Sequence, residues 1–104
     1  MNQKEKLQLG QQLWDEVVPK TLHLEDPAYD GRYVAVSTRV KRDTEMLKDV
    51  IRIIKNNYFI PVDMMDIAAT IVVANDADRS SISRKNAAHA KVVTYPEFVG
   101  ASDD

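Results

Sequence analysis

Hydrophobic positions recur along this chain with two different spacings. From Lys4 to Val18 no proline intervenes, and Leu7, Leu13, Trp14, Val17 and Val18 fall near helical spacing, which predicts an amphipathic helix weakened at Gly10 and ended by Pro19. Thr21 to Gly31 holds Pro27, two acidic residues and the turn pair Asp30-Gly31, so it reads as a connector, and a boundary near Ala28 separates a leading segment, 1–28, from a domain over 29–104. Tyr33-Val34-Ala35-Val36-Ser37 is β-rich and almost continuously apolar, the pattern of a strand covered on both faces.

The helical period returns after Arg39-Val40-Lys41-Arg42. Asp43 is placed to cap a helix in which Met46, Leu47, Val50, Ile51, Ile53 and Ile54 form a broad stripe facing the sheet. Asn56-Asn57 supplies the left-handed closure of that helix, and Tyr58-Phe59-Ile60, stopped by Pro61, reads as a short edge strand. Ala69 to Ala74 is an unbroken β-branched run suited to a central strand, with Asn75-Asp76-Ala77-Asp78 as its exit loop. Ser80 or Ser81 then caps a third helix to about His89, with Ile82, Ala87 and Ala88 inward. Lys91 to Thr94 gives a fourth strand, and Tyr95-Pro96-Glu97-Phe98-Val99 begins a final helical turn that Gly100 closes. Strands alternating with crossover helices predict an α/β three-layer sandwich around a four-stranded parallel sheet, in the order second, first, third, fourth, preceded by the extra N-terminal helix.

Composition narrows the class. The 104 residues suffice for a single core. The absence of cysteine removes disulfide frameworks, thiolate chemistry and sulfur-ligated zinc, and suits a reducing cytoplasm. No apolar run approaches a membrane span and no signal-peptide core follows Met1, so the expected setting is intracellular: cytoplasmic, or nucleoid or nucleus if associated with DNA. The net charge of −2 hides a split. Residues 1–31 carry three lysines against six carboxylates, 32–60 seven cations against three carboxylates, and 61–104 four against seven. An anionic partner would meet the middle segment.

Three stretches carry a resemblance to a known family. Asp30-Gly31-Arg32-Tyr33-Val34-Ala35-Val36-Ser37 resembles the glycine-led first strand of the BRCT family, small interaction domains of DNA replication and repair proteins. Ala69-Thr70-Ile71-Val72-Val73-Ala74 is similar to its third strand, and Val92-Val93-Thr94-Tyr95-Pro96-Glu97-Phe98 to its "valine, valine, threonine, x, x, glutamate, phenylalanine" ending. The likeness spans about residues 29–100, with Asn56-Asn57 where the family often has Gly-Gly. It implies a non-catalytic module without cofactor, binding a partner protein or a phosphorylated ligand such as a DNA 5′-phosphate end. In phosphate-binding members a Ser or Thr after the first strand and a Lys in the helix after the third grip the phosphate; Ser37 fits the first role, and the lysine position holds Ile82.

The candidate phosphate-binding residues are Ser37, Thr38 and Arg39, leaving the carboxyl end of the first strand, and Arg79, Ser80 and Ser81, opening a helix after its neighbour. Lys41, Arg42 and Lys85 are auxiliary basic contacts. The plainer alternative makes the serines helix caps and the cations solvated loop charges. His23, His89, Asp76-x-Asp78, Asp63 and Asp66 lack the partners that metal binding or acid–base catalysis needs, and the serines lack a strained nucleophile elbow. Trp14 either anchors a partner or packs the leading helix onto its own domain. Two other functions remain open: homotypic assembly, through the helix carrying Met46, Val50 and Ile54 or the leading helix, and service as the accessory domain of a DNA ligase or proofreading-type exonuclease.

Overall fold

The computed structural model describes residues 2–20 and 30–102; the connector over 21–29, with His23 and the boundary near Ala28, lies outside the described residues. Helix α1 runs Gln3–Val17, where the Asn2 side chain accepts from the Glu5 N–H at 2.8 Å and Pro19 prevents continuation. Strand β1, Tyr33–Val36, has all four residues buried. Ser37 caps a short helix α2, Thr38–Arg42, and Asp43, its side chain accepting from Met46 N–H at 3.2 Å, caps the long helix α3, Thr44–Asn56. Helix α2 occupies a stretch with too few residues for a visible period.

Strand β2 is only Ile60–Pro61, followed by a 3-10 turn, Met65–Ile67, and β3, Thr70–Val73. Two short helices, α4 (Asp76–Arg79) and α5 (Arg84–His89), precede β4 (Lys91–Thr94), and α6 (Tyr95–Ser102) ends the described chain. The four strands form one all-parallel sheet in the order β2-β1-β3-β4, and the edge position expected for the second strand holds, although that strand is Ile60–Pro61 and includes the proline rather than running Tyr58–Ile60 and stopping at it.

Alternation along the strands divides the core. Val34, Val36, Val72 and Val93 face a layer built by Trp14, Val40, Leu47, Val50, Ile53, Ile54 and Phe98. Tyr33, Ala35, Ile71 and Val73 face Val62, Ala68 and Ala90 on the other side. Covered on both faces, the strands read as continuous apolar runs. Ile51 flanks the stripe of α3 and is only half-buried, whereas Leu47, Val50, Ile53 and Ile54 are its buried line. Val50 and Ile54 lie inside this core, so the α3 face proposed for homotypic assembly is covered within the chain.

Trp14 is fully buried in the larger cluster, with its indole N–H donating to the Val62 carbonyl at 3.0 Å. The packing role therefore holds for it, and α1 shares the core of the sheet domain.

Four local expectations are corrected. The left-handed residue after α3 is Tyr58, φ 61°, one position beyond Asn57, whose φ is −110°; the Phe59 N–H reaching the Ile54 carbonyl at 3.0 Å sets that closure. Asp76 to Arg79 is helical rather than a loop, capped by Asn75. Ser83, not Ser80 or Ser81, caps the next helix. Gly100 lies inside α6 instead of ending it.

Candidate anion-binding site

The carboxyl ends of β1 and β3 are joined by the Ser37 N–H donating to the Val72 carbonyl at 3.0 Å. Ser37 is 2% exposed, because its hydroxyl accepts the Val40 N–H at 3.3 Å as the cap of α2 and donates to Asp78 Oδ2 at 2.5 Å. Asp78 is delivered by α4 from the end of the adjacent strand, and Oδ2 also accepts the Ala74 N–H at 2.8 Å. The Ser81 hydroxyl donates to the Asp78 main-chain carbonyl at 2.6 Å and lies 3.2 Å from Oδ1. Arg39 stands at the rim, its Nε 3.9 Å from Oδ1.

Ser37, Arg39 and Ser81 are thus brought together around Asp78, and Thr38 is exposed beside them. Arg79 is not. Its guanidinium reaches Glu97 at 2.7 Å and Asp76 at 3.4 Å, and the hydrogen bond to Glu97 holds that carboxyl below its usual range. The Ser80 hydroxyl donates to the Ala77 carbonyl at 2.7 Å. Residues 79–81 close a helix, and the N–H groups of Arg79 and Ser81 are taken by Asn75 and Asp78 carbonyls, so they offer no open helix start to an anion, contrary to the expectation from sequence.

The auxiliary cations also separate. Lys41 is half-buried, with Nζ 2.9 Å from both Asp63 and Gln11; the Lys41 hydrogen bond draws the Asp63 carboxyl below its usual range. Lys85 is exposed on α5 and its carbonyl faces the His89 ring, whose other nitrogen meets the Met65 carbonyl. Arg42 points elsewhere. Together with Arg39, Asp43 and Thr44 it forms one wall of a cavity of about 440 Å³, and Gln3, Lys6 and Leu9 of α1 form the other.

Among the described residues no carboxylate lies within 4.0 Å of the charged ends of Lys6 or Arg42. Asp43 shares the cavity, but one of its oxygens is engaged at the start of α3. The spacing of Gln3, Lys6 and Leu9, every third residue of α1, was the available signal for this wall; the sequence could not reveal which side of α1 meets α2.

Gly10 decides how closely those helices meet. A Cβ there would sit 1.7 Å from the Lys41 carbonyl oxygen, so only glycine allows α1 to cross the end of α2 at this distance.

Among the described residues no three His, Cys, Asp or Glu side chains gather as metal ligands, and no helix is long and apolar enough to cross a membrane. Asp76 and Asp78 diverge, one to Arg79 and one to Ser37. Comparison with protein-family models, curated proteins and solved structures finds no match to this chain.

Proposed function

We propose that this chain is a non-catalytic interaction module of the BRCT type, serving DNA replication or repair by binding a phosphorylated ligand such as a DNA 5′ end. The observation that carries the reading is the cavity between α1 and α2, where Lys6, Arg39 and Arg42 converge and two of the three have no carboxylate partner among the described residues. Unpaired cations on two rigid walls attract a polyanion through long-range charge and hold a phosphate through charge-assisted hydrogen bonds. The sheet order agrees with the resemblance carried by Asp30–Ser37, Ala69–Ala74 and Val92–Phe98. A ligase or exonuclease would use such an accessory domain in the same way.

The test titrates the protein with 5′-phosphorylated duplex DNA, the 5′-hydroxyl duplex and a phosphoserine peptide. The phosphorylated duplex should bind tightest. Arg42→Ala or Lys6→Ala should weaken it about tenfold or more, the scale of one charge-assisted hydrogen bond, and lower the salt dependence by about one ion for each cation removed. Equal affinity for both duplexes would remove the phosphate-end reading.

A further inference from the structure

A second cavity lies at the opposite end of the sheet from Ser37 and Asp78. Thr70 and Lys91 begin β3 and β4 and stand opposite one another in the register, and alternation turns both, with Val93, toward the layer of α3 and α6. There they line a space of about 350 Å³ whose apolar floor is Phe59, Val93 and Phe98, with the two rings 6.0 Å apart and tilted at 38°. Asn57 and Thr70 add hydrogen-bonding groups. Lys91 is exposed, and among the described residues no carboxylate lies within 4.0 Å of its ammonium or of that of Lys55, in the last turn of α3. Glu97, the one carboxylate among the lining residues, is taken by Arg79 at 2.7 Å. The charge left over at this end is positive. Tyr58, set between the wall residues Asn57 and Phe59, is held at φ 61° and is 79% exposed. A bulky residue in that region is strained where asparagine is not, and so exposed a ring recovers little by packing within the chain. Strain of this kind gathers at ligand clamps, and exposed aromatics beside an apolar pocket are the anchors of protein interfaces.

We propose that this cavity docks a partner polypeptide through an acidic segment carrying one aromatic or branched aliphatic side chain. That side chain rests on Phe59, Val93 and Phe98, the carboxylates flanking it meet Lys91 and Lys55, and Tyr58 packs against the segment at the mouth. The volume is at the small end for ligand pockets, which suits one or two side chains, and a wholly polar anion would gain nothing from the floor. This holds whether or not the α1–α2 cavity binds DNA.

The test titrates the protein with acetyl-Asp-Glu-Leu-Phe-Asp-Glu-amide and follows its amide and aromatic NMR signals. Those of Phe59, Lys91 and Phe98 should move together, and the peptide with serines in place of its leucine and phenylalanine should bind about tenfold more weakly or worse. Lys91→Ala should weaken binding about threefold, the scale of an exposed ion pair. Ala101→Trp, at the exposed end of α6, should block the cavity with the melting temperature nearly unchanged. Tyr58→Asn should bind more weakly yet melt about 4 °C higher, because the strain is relieved. Signals that move only around the α1–α2 cavity, equal affinity for the serine peptide, or signals that shift with protein concentration alone, as a second copy would cause, each overturn the proposal. So does unaltered affinity in Ala101→Trp or Tyr58→Asn, or a lower melting temperature in Tyr58→Asn, which would make its ring a structural contact.

Discussion

Alanine at position 10 should destabilise this protein, although the same change in an exposed helix stabilises. Gly10 lies in the middle of α1, where replacing glycine by alanine ordinarily gains about 1 kcal/mol from helix propensity. Against this stands the added methyl carbon, 1.7 Å from the Lys41 carbonyl oxygen, 2.6 Å from its carbon and 3.1 Å from Lys41 Cα. Ordinary van der Waals separation begins near 3.4 Å, and the obstacle is backbone, which cannot rotate away. The helices must separate by more than 1 Å.

The displacement propagates to Trp14, one turn later on α1. A shift of that size breaks the 3.0 Å bond from its indole to the Val62 carbonyl and opens the core around a fully buried side chain. Overpacking costs about 1–3 kcal/mol and a broken buried hydrogen bond about 1–3 kcal/mol. Subtracting the propensity gain leaves a net loss of about 1–5 kcal/mol, a large share of a typical total of about 5–15 kcal/mol. Urea unfolding followed by tryptophan fluorescence measures it, with a lower midpoint and an unchanged slope expected. Gly10→Ala with a midpoint equal to or above that of the parent would refute the close crossing of α1 and α2.

Val50→Asp should abolish cooperative folding by placing an unpaired charge in the core, whereas Ile51→Asp, at the half-buried flank of α3, should melt lower but still cooperatively; calorimetry distinguishes them. Arg79→Ala should leave affinity for phosphorylated DNA unaltered and raise the pKa of Glu97 toward the ordinary range, as followed by NMR titration of its side chain, because Arg79 is what lowers it. Asp63 titrates below its unfolded value through Lys41, so the pair stabilises the fold above about pH 4 and this contribution vanishes as pH falls through the lower folded value. With Asp63 about half exposed, the stability gap between parent and Asp63→Asn should be no more than about 1 kcal/mol at neutral pH and should close in acid. The Tyr95 hydroxyl donates to Asp49, which raises its pKa above the usual phenolic value, so phenolate absorbance should lag that of exposed tyrosine and the stabilisation should persist until pH rises through that value.

The sheet was legible because its strands are buried on both faces and announce themselves as β-branched runs; Ile71, Val72 and Val73 need no alternation with polar residues to be recognised. Asp43 was legible as a cap because an acidic residue precedes the strongest helical stripe. The site was less so. Ser80 and Ser81 have the composition of caps, but whether a serine starts or finishes a helix depends on where its hydroxyl finds a partner, and here both return to carbonyls of α4. Arg79 looked available because Glu97, its partner, is 18 residues away in the chain. Asp78 looked like a turn residue, and only the pairing of β1 with β3 brings Ser37 to it.

The placement of charge follows from one geometric fact, the close crossing permitted by Gly10. It draws Lys41 inward to Gln11 and Asp63, removing that cation from the surface field, and it leaves Arg39 and Arg42, on either side of Lys41 in α2, with Lys6 of α1 to line the cavity. The basic run that the sequence presents as one cluster is therefore divided: one member pins α1 in place and two face outward. If α1 were moved or removed, Lys41 would lose the Gln11 side of its partnership and the cavity would lose Gln3, Lys6 and Leu9, its entire second wall. Stability and anion binding should then fail together in Gly10→Ala, whereas Arg42→Ala should lose binding with its melting temperature nearly unchanged. That contrast ties the candidate site to the helix crossing rather than to the basic residues alone.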